Sequence, residues 1–202
     1  MAAMLVASAL GLAVALSGCG PFGGDAPTAS AEELPVGQIP WCDRPLLSFQ
    51  DDSTTSQKQI TSWDAVKDQL GFTPYLPPSL PKGACLALAG GSIHNPIYGG
   101  QLSITYVLPG TGPLSFSQAP KRQSLSSKTQ CIQSTQDSKT TICAGVISNT
   151  SITIASRQPA ANLEALFGKL QPNVAWVPAG SNRVPPTPTT PANAAPTATS
   201  KP

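Results

Sequence analysis

The sequence predicts an α+β domain: a single antiparallel sheet of about six strands packed by a short N-terminal helix and a C-terminal amphipathic helix. Three observations carry this expectation. Between Ala84 and Ser156, short runs rich in Ile, Val, Thr, Leu and Tyr alternate with turn residues. Inside those runs apolar residues recur at every second position, so Leu102, Ile104, Tyr106 and Leu108 share one face of their strand, and Ile152 and Ile154 do likewise in the last strand. That alternation belongs to a sheet with one face covered and one wet. On either side lie helical stripes: Trp63, Val66 and Leu70 after a capping-box start at Thr61-Ser62-Trp63-Asp64, and Leu163, Leu166, Phe167 and Leu170 after Pro159.

Taken from the start, Met1 to Leu16 is built from Ala, Leu, Val, Met, Gly and Ser and carries no charged side chain. It has the apolar core of a secretory signal and is too short for a permanent membrane span. No Lys or Arg precedes the apolar run, which is atypical and points to a start codon placed late. The next residues, Leu16-Ser17-Gly18-Cys19, resemble the lipobox of bacterial lipoproteins at every position. The resemblance implies a signal peptide over residues 1–18, cleavage before Cys19, and lipid attachment to the Cys19 thiol. A thiol forms a stable thioether, and small Ser17 and Gly18 let a protease reach the backbone. The expected location is the extracytoplasmic face of the cell membrane, with the membrane itself a partner through the lipid anchor.

Of the five cysteines, lipidation of Cys19 leaves Cys42, Cys85, Cys131 and Cys143. That is an even set in a compartment that permits disulfides. Three pairings are possible; Cys131 with Cys143 and Cys42 with Cys85 is favoured, because the first pair flanks the polar turn Gln136-Asp137-Ser138-Lys139. No Cys-x-x-Cys pair and no second histidine exist, so neither a metal site nor a thiol redox centre is expected.

Residues 19–35 are rich in Gly, Pro, Ala and Ser and read as a flexible tether. The domain is expected over residues 36–177, long enough to bury one core. Residues 178–202, which include Pro185-Pro186-Thr187-Pro188, read as a disordered Pro/Thr/Ala-rich tail. Within the domain, the prolines of Pro74–Gly83 force an extended path that excludes a helix. Strands are expected near Ala84–Ala89, Gln101–Leu108, Leu114–Gln118, Thr129–Ser134, Thr140–Ile147 and Ser151–Ser156, and a closing helix that Pro172 stops.

The segments Tyr75-Leu76-Pro77 and Leu80-Pro81-Lys82-Gly83, followed by antiparallel strands and a terminal amphipathic helix, resemble a domain-of-unknown-function family. That family occurs in extracytoplasmic parts of bacterial lipoproteins and of membrane proteins related to anti-sigma factors. The likeness spans about Trp63 to Leu170. Ala84-Cys85 stand where the family carries a large residue, and its usual pattern has no cysteines. It implies fold and compartment, and no catalytic residue.

Charged residues make up 11% of the chain and the net charge is +2. Lys121-Arg122 is the only adjacent basic pair of the domain, so no basic stripe is available for nucleic acid. His94 is the only histidine, in Ser92-Ile93-His94-Asn95-Pro96, without a Gly-x-Ser-x-Gly elbow. Asp51-Asp52 read as a solvated loop. The function expected is therefore a non-catalytic exported lipoprotein without cofactor, binding a protein or envelope component through a sheet edge or the Tyr98 and Tyr106 region. The alternative is a small-ligand module or weak hydrolase using the His94 loop.

Overall fold

Phe49 and Leu47 point into a core while Ser48 and Gln50 point out of it, and that alternation opens the sheet well before Ala84. The structure is a computed structural model that describes residues 32–53, 58–122 and 128–178. The signal segment 1–18, Cys19 with most of the tether, and the tail beyond Pro178 lie outside the described residues.

In chain order, β1 (Glu33–Pro35) is followed by β2 (Leu47–Asp51), β3 (Lys58–Ile60), β4 (Tyr75–Leu76) and β5 (Ser79–Pro81). Then come β6 (Cys85–Asn95), β7 (Gly99–Leu108), β8 (Gly112–Pro120), β9 (Gln130–Gln133), β10 (Thr141–Ile147) and β11 (Thr150–Ser156). The helix α1 (Ala160–Phe167) and β12 (Gln171–Pro172) close the domain. The main sheet has eight strands in the order β3-β2-β6-β7-β8-β11-β10-β9. Every neighbouring pair is antiparallel except β2 with β6, which is parallel.

The described residues are thus mostly β, with one eight-stranded mixed sheet, two two-stranded ribbons and one α-helix, and this corrects the expected six-stranded antiparallel α+β sheet. The six expected strands lie within or near β6 to β11. The two unforeseen ones, β2 and β3, sit in the polar stretch around Asp51-Asp52. After β3 the chain crosses under the sheet through residues 61–84 and returns as β6 in the same direction as β2, as a parallel pair requires. Gly90 makes that close pairing possible, because a Cβ there would collide with the Ser48 carbonyl oxygen.

The expected N-terminal helix is absent. The Trp63 carbonyl accepts from both the Val66 and the Lys67 N–H at 2.9 Å, and only a single 3-10 turn, Lys67–Gln69, follows. Leu70 then lies with its backbone against Gly100, and Gly71 turns the chain away at φ +74°. Val66 and Leu70 are buried all the same, so the apolar spacing served burial without a helix. At the other end Pro159 is the N-cap of α1 and Gly168 its C-cap. Leu170 lies past the helix end, and Pro172 belongs to β12, which pairs with β4.

One face of the sheet carries Phe49, Leu86, Ile93, Leu102, Ile104, Tyr106, Leu114, Phe116, Ile152 and Ile154, all buried. Helix α1 covers only part of it, through Leu163 and Phe167. Gly145 of β10 permits that contact, since a Cβ there would meet the Phe167 ring at 2.9 Å. Loops supply the rest of the cover: Val36 and Ile39, Val66 to Leu76, and Trp176, which stands edge-on to Trp63 with ring centroids 5.0 Å apart. Gln118 is the buried polar link between sheet and cover. Its amide donates to the Tyr75 carbonyl and its oxygen accepts the Tyr75 N–H, both at 2.8 Å. All the buried apolar side chains named above lie between Val36 and Trp176, so the core of the described residues falls within that span. The opposite face aligns Ser48, Gly90, Ser103, Ser117, Thr153 and Ala144 across six strands.

Candidate functional site

A concavity lies at the end of the sheet where β7 turns into β8. Prolines dictate its first wall: Pro77, Pro78 and Pro81 keep the chain extended, and β5 pairs with β1. The Val36 N–H donates to the Pro78 carbonyl at 3.1 Å, and the Ser79 hydroxyl donates to the Glu33 carboxylate. Helix α1 forms the second wall. Its buried side chains Leu163 and Phe167 face β10 and β11, which leaves Asn162, Ala165 and Leu166 along the gap. The resulting cleft has a volume of about 540 Å³. Leu80, Leu108 and Leu114 are apolar lining, and Glu33, Gln158, Lys169 and Gln171 supply polar groups. An apolar lining with a few polar groups suits an amphipathic ligand or an inserted partner side chain.

The opposite end of the sheet brings Asp51, Asp52 and His94 together. His94 sits at the end of β6 with φ +57°, and its Nδ1 is 3.1 Å from Asp51 Oδ1. The Asp51 carboxylate also accepts the Ser53 N–H at 3.0 Å. Bonds from the Ser53 hydroxyl and N–H, with a smaller contribution from His94, hold its pKa down at about 2. Beside it the Asn95 amide donates to Asp52 at 2.8 Å. The Asn95 side-chain oxygen accepts the N–H groups of Ile97 at 3.1 Å and Tyr98 at 2.9 Å.

Asp51-Asp52 are therefore two clamps on the β6–β7 hairpin. The strand signal of Leu47 and Phe49, which ends at Asp51, is the feature that could have revealed this. Chemically, the Asp51–His94 pair orients an imidazole. Among the described residues no serine or cysteine hydrogen-bonds the other ring nitrogen.

The four domain cysteines form two disulfides. Cys42 bonds Cys85 across 4.8 Å between Cα atoms, and Cys131 bonds Cys143 across 4.1 Å. The first fixes residues 40–42 against β6, where the Cys42 N–H donates to the Leu86 carbonyl at 3.0 Å. The second joins directly opposed positions of β9 and β10. The two tyrosines expected to make a contact region separate. Tyr98 is exposed on the hairpin, whereas Tyr106 is buried, and burial pushes its phenol pKa up. Tyr106 therefore belongs to the core.

Cys19, the expected lipid attachment residue, lies outside the described residues. Among the described residues no group of three or more His, Cys, Asp or Glu side chains is placed to hold a metal ion, and no helix is long and apolar enough to cross a membrane. In comparison with known proteins, no family model matches the chain and no curated protein matches its sequence.

Proposed function

We propose that this chain is an exported lipoprotein, held at the extracytoplasmic face of the cell membrane through Cys19, whose domain is a non-catalytic module for an envelope protein partner. The lipobox-like Leu16-Ser17-Gly18-Cys19 supports the anchor. Each buried methylene of an acyl chain contributes about 0.8 kcal/mol, so several chains together hold the protein stably. A Cys19→Ala chain is expected to leave the membrane in a salt wash; retention there would mean that lipid is not the anchor.

The observation that carries the binding reading is the cleft between the Pro77–Pro81 strap and α1, with its leucine lining and polar rim. A photo-crosslinking residue in place of Asn162, on that rim, is expected to trap one reproducible envelope protein in living cells. The same probe in place of Gln101, on the open face, traps none, and Leu166→Asp abolishes the crosslink. Equal trapping at both positions, or no trapping at Asn162, overturns the cleft as the binding site.

The second reading, a small-ligand module or weak hydrolase at the His94 loop, has its own observation in the Asp51–His94 pair. His94→Ala separates the two: loss of a measurable activity with folding intact defeats the non-catalytic reading.

A further inference from the structure

Two observations meet at the β6–β7 hairpin and belong to neither the cleft nor the core. The first is apolar exposure. Ile97 is 78% exposed and Tyr98 48%, side by side at the hairpin tip. They are not presented on a loose loop, because the Asn95 side chain accepts both of their N–H groups and is itself tied to Asp52. The tip is held in shape with its apolar groups outward.

The second observation is charge. The end of β8 runs alongside the same tip: Pro120 is the nearest side chain to a Cβ built at Gly99, and the Arg122 guanidinium stands 4.4 Å over the Tyr98 ring. Lys121, the other half of the basic pair noted in the sequence, is exposed and fixed by its N–H to the Asn149 carbonyl at 2.7 Å. The acidic groups of this end are Asp51 and Asp52, and both are engaged at the root of the hairpin by Ser53, His94 and Asn95.

We infer that this tip, Ile97 and Tyr98 with Lys121 and Arg122, is a contact site for an anionic phospholipid bilayer. An aliphatic side chain beside a tyrosine suits the boundary between acyl chains and headgroups, where the amphipathic ring is favoured. Two consecutive cations, Arg122 over the Tyr98 ring and the exposed Lys121 before it in the chain, complement lipid phosphates, and an arginine stacked on tyrosine keeps its donors free at the edge of the ring plane. The partner's chemistry is a negatively charged lipid surface, which an anchored protein meets continuously. The inference rests on the proposed export and anchoring for its setting and not on the cleft.

The test removes the anchor so that it cannot mask the contact. The chain from Gly20 to Pro202 contains the core of the described residues and lacks the Cys19 thiol. With both disulfides formed, it is sedimented with vesicles of phosphatidylglycerol and, separately, of phosphatidylcholine. Binding to the phosphatidylglycerol vesicles is expected, with weak binding to phosphatidylcholine and release at about 0.5 M salt, where screening acts within a few ångströms.

Ile97→Ser with Tyr98→Ser is expected to lower partitioning roughly tenfold, and Lys121→Gln with Arg122→Gln similarly. Ile132→Ser serves as the control, since Ile132 is equally apolar and 64% exposed but lies on edge strand β9. Circular dichroism of each variant confirms folding, which substitutions at exposed positions leave unchanged. A parent chain that stays in solution with both vesicles overturns the inference, and so does a tip variant that sediments like the parent. Failure of the anchor reading is seen separately in the Cys19→Ala salt wash.

Discussion

The two ends of β7 are built by different physics. At its Leu108 end the cleft is walled by prolines and α1, and what holds it is burial: Leu80, Leu108, Leu114 and Leu163 are all at most 5% exposed. At its Gly99 end the hairpin is held by polar side chains reaching backbone and one another: Asp51 to Ser53 and His94, Asp52 to Asn95, and Asn95 to Ile97 and Tyr98. Burial of apolar surface is insensitive to pH and distributed through the core, whereas hydrogen bonds at a partly exposed tip are local and depend on ionisation. One end therefore rests on burial shared with the rest of the core, and the other on hydrogen bonds of its own.

The largest effect expected from breaking that contrast is at Leu163. Truncation to alanine removes a fully buried side chain of α1 and costs about 2–5 kcal/mol, part transfer and part cavity. It should be read as a lower denaturant midpoint with unchanged slope, together with loss of the Asn162 crosslink. A smaller effect, about 1 kcal/mol or less, is expected for Asn95→Ala, because the hydrogen bonds it removes are near solvent. Its distinctive readout is faster amide exchange at Ile97 and Tyr98 with no change in α1. Protection lost throughout the domain would show that the tip is coupled to the core after all.

The smallest effect is electrostatic and sharpens the contrast by pH. Asp51 has its pKa lowered from the ordinary 3.8 to about 2, so the carboxylate interactions contribute above pH 4 and are lost as pH falls toward 2. Asp51→Asn should therefore lower thermal stability slightly at pH 6 and differ least from the parent at pH 2. A difference that does not shrink over that interval would mean that ionisation of Asp51 is not what holds the tip.

Much of the sheet was legible because a half-buried strand announces itself locally. Leu102 to Leu108 alternate, and their burial follows the alternation residue by residue. The loops were less legible. Trp63, Val66 and Leu70 have helical spacing, yet spacing records only that the three face the core, Val66 and Leu70 buried and Trp63 half-buried against them. It does not say whether a helix or a chain bending around Gly71 brings them to the core. Residues 47–51 carried the same alternation as β7, but Asp51-Asp52 drew the reading toward solvent, because their partners His94 and Asn95 stand 43 positions away.

The cysteines divide along the same line. Composition set their parity once Cys19 was assigned to lipid, and the twelve-residue separation of Cys131 and Cys143 with a polar turn between them set that pair facing across a hairpin. Cys42 with Cys85 needed the chain to lay residues 40–42 against β6, a placement that depends on the crossover through 61–84.

By itself the sequence determined which residues are strands in the second half of the domain, which faces of them are buried, and a lipobox-like motif at Cys19. These are short-range properties, decided by side-chain period and by neighbours within a few positions. Only the tertiary structure decided that β2 joins the sheet parallel to β6, that α1 and the Pro77–Pro81 strap leave a cleft between them, and that Arg122 comes to lie over Tyr98. Each of these depends on contacts between residues far apart in the chain. Such contacts form where packing leaves room, as at Gly90 and Gly145, and no local pattern encodes that room.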